Sequence, residues 1–594
     1  MTPRAAPSTR IAAVSLVPAL LASVLTIGAP PPTAVATSGS TPYAMPVVVD
    51  VNPDPGIVET TIVADETTVD IGGGVMANAQ TFNGTLPGPE FRLSVGQRVI
   101  VHFQNQLDEE HTGIHWHGIE LANNNDGTPL TQNQVAPGDS FLYDFVVTRP
   151  GVFWYHPHHE FSTNQVFKGL SGSVIVTDPN EAPLVASGTL PSPSQTLSLV
   201  LNDITVCKAE GSNDAETYDL SLPWVGGGPL PAQSGPKPVD LCESPIDNHG
   251  MALGAPLQAG DVPNVQKHNG RTNEGQVVLT NGMNPGGRAG DPSAPGALAV
   301  GASTLAVQPG QGLRLRLINT AATRFFRLRM TAGDGTLLPL VRVGGEGGLL
   351  DAAVVEGTTP GGFDFKYDAG EILLDPGDRA DVVVAFPATA TGVATLWTED
   401  FQRTGGGDGQ GGWTRTPTVP VGHFEVTGPA VSPAFTIADG TPLRSATGDP
   451  VQVLPAATAT LMDPATFGPP KVGLAAQNMQ FTADGAHPSI DNIVATHDFT
   501  VDYALQAHIG SARYAKLGDT LQLSVENTTP SHHPYHLHGF SIQPLSYSGC
   551  PGAVTSFTFP RTEFMDNIDV PPGCTLTFRI HLEDRPMSDG VTAG

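Results

Sequence analysis

One pattern occurs three times along the chain and sets what it can fold into. Gly96 leads into Val99, Val101, Phe103 and Asn105; Gly310 into Leu313, Leu315, Leu317 and Asn319; Gly518 into Leu521, Leu523, Val525 and Asn527. Each is a turn glycine, a strictly alternating run, and an asparagine that can end a strand. A second pattern follows each: Pro137-Gly138, Pro376-Gly377 and Pro572-Gly573, every one opening another alternating run. Period two is the signature of a sheet with one buried face, so the chain is predicted to hold three copies of one β-domain. The copies are placed at residues 45–180, 190–430 and 450–594. With 68 glycines, 55 prolines and short apolar runs between turn signals, the class is all-β, and 594 residues are ample for large cores. The glycine-rich stretches 284–298 and 404–412 read as loops within or near the second copy.

The net charge is −29, which makes a polyanion such as nucleic acid a poor partner and favours solubility. At the N-terminus, Arg4 and Arg10 precede an apolar stretch from Ile11 to about Pro30, and Ala34-Val35-Ala36 offers a small-residue cleavage site. Residues 1–36 therefore read as a secretory signal peptide, and the mature protein as secreted or extracytoplasmic. A membrane anchor is the alternative, because the stretch is only just long enough to span a bilayer; no later segment could cross. The four cysteines, Cys207, Cys242, Cys550 and Cys574, favour disulfides in an exported protein. Pairing Cys207 with Cys242 and Cys550 with Cys574 is the simplest of three arrangements, since each bond stays within one copy.

Three histidine pairs carry the chemistry: His115-Trp116-His117, His156-Pro157-His158 and His536-Leu537-His538, the last preceded by His533-Pro534. With 18 histidines, chance alone supplies about 0.5 such spacings. Residues i and i+2 on a strand face the same way, with bases roughly 6.5–7 Å apart. Both rings could bend toward one metal, but bonds of only about 2 Å suit two neighbouring metals better. A satisfied core histidine is the bland reading of any one pair; three pairs at matching places in repeated domains point to metal. Imidazole suits copper, zinc, iron and nickel. In the first copy His115 and His117 follow Gly96 by 19 and 21 residues, and in the third His536 and His538 follow Gly518 by 18 and 20. The second copy has Phe326-Arg327-Leu328-Arg329 there, so it reads as a spacer.

The segments around these pairs closely resemble the copper motifs of the multicopper oxidases, the laccase-like enzymes: Gly113-Ile114-His115-Trp116-His117-Gly118, Trp154-Tyr155-His156-Pro157-His158 and His533-Pro534-Tyr535-His536-Leu537-His538-Gly539. Asn83-Gly84-Thr85-Leu86-Pro87-Gly88-Pro89 and Asp126-Gly127-Thr128-Pro129 match first-domain signatures of that family, and the resemblance covers essentially the whole mature chain. It implies three cupredoxin domains, each a Greek-key β-sandwich, with a trinuclear copper cluster between the first and third and a blue copper in the third. Carried over by residue, His115 and His536 would hold the type 2 copper. His117, His156, His158 and His538 would supply four of six ligands to the type 3 pair, and His533 one ligand of the type 1 blue copper. Asp126 matches an acidic residue that helps deliver protons near the type 2 site; a solvated turn aspartate is the competing reading. His159 would face away on a strand, His532 matches no motif, and His581 reads as an ordinary surface or edge histidine.

The family's fourth motif, His-Cys-His followed three residues later by another His, is absent. Cys550 and Cys574 have no histidine beside them. In the first copy His156 comes 18 residues after Gly138; the same offset from Gly573 gives position 591, and a loop such as 584–594 would push the motif past the end. The third sandwich is thus expected to be incomplete at its C-terminus, and the chain to be a fragment or truncated reading; a genuinely short chain that has lost the blue copper is the alternative.

The resemblance implies an enzyme that takes electrons singly from a small reductant, a phenol or a metal ion, and reduces O2 to two waters, inactive in the 594-residue form because the electron entry site is missing. The rival from another class is an exported cupredoxin-fold copper-binding or scaffold protein without oxidase activity. A copper nitrite reductase fits the threefold repeat less well. Reducing substrate, axial ligand and oligomeric state are not legible.

Overall fold

The computed structural model describes residues 42–129, 131–159, 162–207, 238–242, 277–403, 416, 418–457, 476–483, 488–491, 515–586 and 592–593. The signal-peptide reading of 1–36, the glycine-rich stretch 404–412 and the side chains of Cys207 and Cys242 lie outside them.

The repeated sequence pattern becomes a repeated hairpin. Strand Arg98–Asn105 pairs antiparallel with Ser140–Val146, Gly312–Asn319 with Arg379–Ala385, and Thr520–Asn527 with Thr575–His581. The alternating apolar residues fill three cores: Val99, Val101 and Phe103 in one, Leu313, Leu315 and Leu317 in a second, Leu521, Leu523 and Val525 in a third. The asparagine that closes each run has the same task each time. Asn105 donates to the carbonyls of Glu110 and Val135, Asn319 to those of Arg324, Leu374 and Asp375, and Asn527 to those of Ser531 and Val570. Its side-chain oxygen accepts the amide of the residue two further on, at 2.9–3.0 Å in all three. Its backbone carbonyl accepts from the Pro-Gly glycine: Gly138, Gly377 and Gly573. The two sequence signals therefore meet in space, asparagine against turn glycine, three times.

Around each hairpin a second sheet closes a sandwich. In the first, strands Gly88–Ser94, Gly172–Thr177, Gly151–His156 and His115–His117 lie side by side in that order. In the second, Phe326–Thr331, Gly392–Glu399 and Val419–Val426 face the hairpin. In the third, His533–His536 pairs with Asn567–Val570. The molecule is all-β, with cupredoxin-like sandwich domains and few, short helices; among the described residues no helix is long and apolar enough to cross a membrane.

Some local expectations need correction. Residues 284–298 are not simply loop: Arg288–Asp291 and Ala294–Leu298 form a two-stranded ribbon, its turn held by Asp291 accepting from Ser293 and Ala294. Where the histidines would stand in the second copy, Arg327 and Arg329 make ion pairs with the buried Glu371. Cys550 and Cys574 are joined in a disulfide. His581, half-buried at the end of its strand, contacts the Thr520 hydroxyl at 3.1 Å.

Candidate metal centre

Strand pairing delivers the histidines to one place. His115–His117 runs antiparallel to Gly151–His156 in a register that puts His115 opposite His156 and His117 opposite Trp154. The loop bearing Asp126 lies flat on the entry to this strand: Gly127 has φ +78°, and a Cβ there would collide with the Ile114 carbonyl. From the third sandwich, His533–His536 brings His536 and, just beyond, His538. Their rings stack on those of the first: His117 on His536 with centroids 3.6 Å apart, His115 on His538 at 4.0 Å. His158 adjoins both, 5.3 Å from His115 and 4.8 Å from His538, although the strand ends at His156.

The hydrogen bonds say which nitrogen of each ring is free. The Asp126 carbonyl lies 2.6 Å from His115 Nδ1 and the Asp566 carbonyl 2.8 Å from His536 Nδ1. A carbonyl only accepts, so both Nδ1 atoms carry the proton and both Nε2 atoms present a lone pair. The same holds for His156, whose Nδ1 donates to the Pro157 carbonyl, and for His538, whose Nδ1 donates to the Asp126 carboxylate. The Nε2 atoms of His115, His117 and His536 are buried without a hydrogen-bond partner. Buried polar atoms are seldom left so. Three overlapping donor sets result, each with ligand atoms within 4.8 Å of one another: His115, His117 and His156; His115, His536 and His538; His117, His536 and Asp566. A mostly imidazole set, with the Nε2 lone pairs of His115 and His536 buried and free and their Nδ1 protons anchored behind on carbonyls, fits copper.

The electrostatics keep His117, His156, His158 and His538 neutral, as ligation requires. Burial, then the neighbouring rings, holds His117 and His156 well below the usual histidine range, and lowers His158 to about 4 and His538 to about 2. Asp126 is buried rather than a solvated turn residue. Burial opposes its charge, yet hydrogen bonds from His115 and His538 outweigh that and hold the carboxyl well below the usual range.

Sequence reasoning missed the groups behind the cluster. Asp566 is buried against burial's own penalty, kept ionised by Arg379 and by His117 and His536. Arg379 donates to the carbonyls of Val152 and Gly377 and clasps Asp566. Gly118 is needed because a Cβ there would strike Asp566 and Arg379. No motif spacing marks Asp566; only the pairing of two distant strands puts it under His536.

His533 stands apart from the cluster, its Nε2 2.9 Å from the Thr529 hydroxyl. Its neighbour His532 is buried, with Nδ1 2.6 Å from Asp569 and Nε2 3.1 Å from Lys366 Nζ. His159 lies beyond the end of its strand, buried against Gly113, and joins none of the three donor sets.

An all-β molecule of cupredoxin-like sandwiches with a buried imidazole cluster has the donor atoms of a metalloprotein, and they suit copper. Residues 63–181 and 479–587 each match a domain model described as multicopper oxidase. The multicopper oxidase MmcO of Mycobacterium tuberculosis is 26% identical over 501 residues, covering 84% of this chain and 78% of that protein. Laccase-2 of Botryotinia fuckeliana is 38% identical over a shorter stretch, 22% of this chain and 23% of its own. Among solved structures, a variant of the McoA multicopper oxidase of Aquifex aeolicus shares the fold with a TM-score of 0.60 at 20% identity, covering 92% of this chain and 93% of its own. The chain thus carries two multicopper oxidase domains and is similar over most of its length to a multicopper oxidase: it is an oxidase, and its cofactor is copper.

Proposed function

We propose that this protein is an exported oxidase that couples one-electron oxidation of a small reductant, a phenol or a metal ion, to four-electron reduction of O2 to water. The observation that carries the reading is the pair of buried, unpartnered Nε2 atoms on His115 and His536, each aimed by a backbone carbonyl bound at Nδ1. On this reading His115 and His536 hold the type 2 copper, His117, His156, His158 and His538 serve the type 3 pair, and His533 belongs to the type 1 site. The copper-bearing sandwiches are residues 45–180 and 450–594, with 190–430 as the spacer, and residues 1–36 are the export signal.

When bound, copper supplies the redox chemistry that passes electrons to O2. The chain's own residues do the rest. Carbonyls of Asp126, Pro157 and Asp566 fix the imidazole tautomers. Trp154 stacks on His156 at 4.0 Å and helps exclude water. Asp126, ionised beside His538 Nδ1 at 3.1 Å, is placed to move a proton at the edge of the site. Cys550 and Cys574 are consumed in their disulfide, so neither offers a thiolate beside His533.

Metal analysis with electron paramagnetic resonance tests this. The full chain should take up more than one copper, show a type 2 signal and lack an intense blue thiolate band. His115→Ala and His536→Ala should each abolish that signal. Copper uptake indifferent to both substitutions would overturn the assignment.

A further inference from the structure

The first sandwich carries a pocket of its own, between the segment that follows the Asp126 loop and the edge strand Ser140–Val146. It encloses about 630 Å³, within the range of about 300–1,000 Å³ usual for small-ligand sites. Its floor is fixed by the backbone. Val135 exchanges two hydrogen bonds with Thr112, at 2.9 and 3.1 Å, and its carbonyl also accepts from the Asn105 side chain at 2.8 Å. Gly138 donates to the Asn105 carbonyl, so the asparagine and turn glycine of the first copy set the pocket's shape. Gln132 is committed to structure as well, accepting from the Gly127 amide and donating to the Tyr143 hydroxyl.

The rest of the lining is uncommitted. Asn133, Gln134, Asp139 and Ser140 make no side-chain hydrogen bond or ion pair among the described residues. Beside them Phe141 is half-buried, and Leu142 is 52% exposed, a large apolar side chain on an otherwise polar wall. A carboxamide offers donors and an acceptor side by side, and a hydroxyl offers both roles at once. Neighbouring hydroxyls of a sugar ask for that pairing, and the C–H face of its ring asks for an apolar strip. Other ligand classes fit less well. No lysine or arginine lines the pocket and Asp139 is its single charge, so an anion gains nothing there, and one carboxylate is too few for a hard cation. A peptide added as a strand needs a run of outward N–H and C=O groups. At Asp144 both are taken by the Asn125 side chain, which closes this edge two residues past Leu142.

We propose that this pocket binds a neutral carbohydrate chain, its hydroxyls bonded by Asn133, Gln134 and Ser140 and its ring face laid on Phe141 and Leu142. The site goes beyond the oxidase reading and does not depend on it, since it needs neither copper nor electron transfer. It gives the chain a holding point on a polysaccharide, separate from the place where O2 is reduced. Its rigid floor means that little ordering accompanies binding, so the hydrogen bonds and the apolar contact are not spent on shaping the pocket.

Titration calorimetry of the full chain with cellohexaose, xylohexaose and mannohexaose tests this, with hexagalacturonate as the anionic control and a threonine–valine hexapeptide as the strand-forming one. At least one of the neutral sugars should bind saturably. Hexagalacturonate should bind about tenfold or more weakly, because Asp139 and the chain's negative charge repel it. Asn133→Ala and Gln134→Ala should each weaken sugar binding about 3–10-fold, the loss expected for one hydrogen-bonding side chain. Their copper content should match the wild type, since neither residue touches the histidine cluster. Carbene footprinting of the wild type should show residues 131–142 protected by the bound sugar, a result that stands even if a variant fails to fold. No binding of any of the neutral sugars, binding indifferent to both substitutions, protection elsewhere on the chain, or a preference for the peptide overturns the proposal. None of these outcomes bears on copper at His115 and His536, so the oxidase reading is tested separately.

Discussion

At the scale of single residues, the cluster depends less on histidine than on what stands behind it. An imidazole can present either nitrogen, and the backbone carbonyls at Asp126, Pro157 and Asp566 remove that ambiguity by accepting a hydrogen bond from Nδ1–H. Asp126 serves twice, its carbonyl fixing His115 and its carboxylate fixing His538. Asp126→Asn should therefore leave the His115 anchor intact, loosen His538, and weaken copper binding by about 10–100-fold, the usual cost of losing a group that orients a ligand; competition with a copper chelator measures this. His159 is the contrasting residue. Though adjacent to His158, it belongs to no donor set, and His159→Asn should leave copper content unchanged in the same assay.

At the scale of elements, the unit that recurs is the hairpin with its asparagine. Asn319 makes three buried side-chain bonds to carbonyls, at 2.8–3.1 Å, and its own oxygen accepts the Ala321 amide. Asn319→Ala strands those groups without water, so it should cost about 3 kcal/mol, the size expected for leaving buried polar atoms unsatisfied. A lowered denaturant midpoint in the second sandwich, with the hydrogen exchange of the other two little changed, is the expected result. The strand pairing also explains how a loosely spaced motif becomes a tight site. His156 lies 41 residues after His115 in the chain, yet the two are direct cross-strand partners. The same pairing places Asn567 opposite His536, and with it the Asp566 carbonyl that holds the ring.

At the scale of the molecule, one guanidinium ties the three sandwiches together. Arg379 lies in the second, donates to Val152 of the first and clasps Asp566 of the third. Arg379→Met leaves Asp566 buried and unpaired and should cost about 3–5 kcal/mol, the range for breaking one side of a buried ion pair. Thermal unfolding should drop accordingly, and copper binding should fall with it because Asp566 loses its anchor. Acid has a second global effect. Burial lowers His423, bonded to Thr395 and the Gly286 carbonyl, to about 4, whereas an unfolded histidine titrates near 6.5. Between those values the unfolded chain binds the extra proton, so stability is complete above about pH 6.5 and declines as pH falls toward 4. Melting temperatures of the copper-free protein across that window should show the decline, and His423→Gln should flatten part of it. A flat profile in both proteins would remove His423 from the account.

Sequence alone determined the strands, their threefold recurrence and the identity of the histidines. These follow from local rules: a period of two, a turn glycine and an i, i+2 spacing are each written in adjacent residues, as Gly96 to Asn105 and His115 to His117 show. It also led to the right family, because the motif residues are contiguous. It placed Asp126 near the site but left open whether the side chain was solvated, and it treated residues 284–298 as loop where a ribbon forms, because exposed glycine-rich strands lack the alternation that marks a buried face. Only the tertiary structure decided the rest: which nitrogen each ring presents, and that Asp566 and Arg379 stand beneath the cluster. Those depend on burial and on contacts between residues more than 30 apart, where desolvation decides which charges pair and which keep their protons.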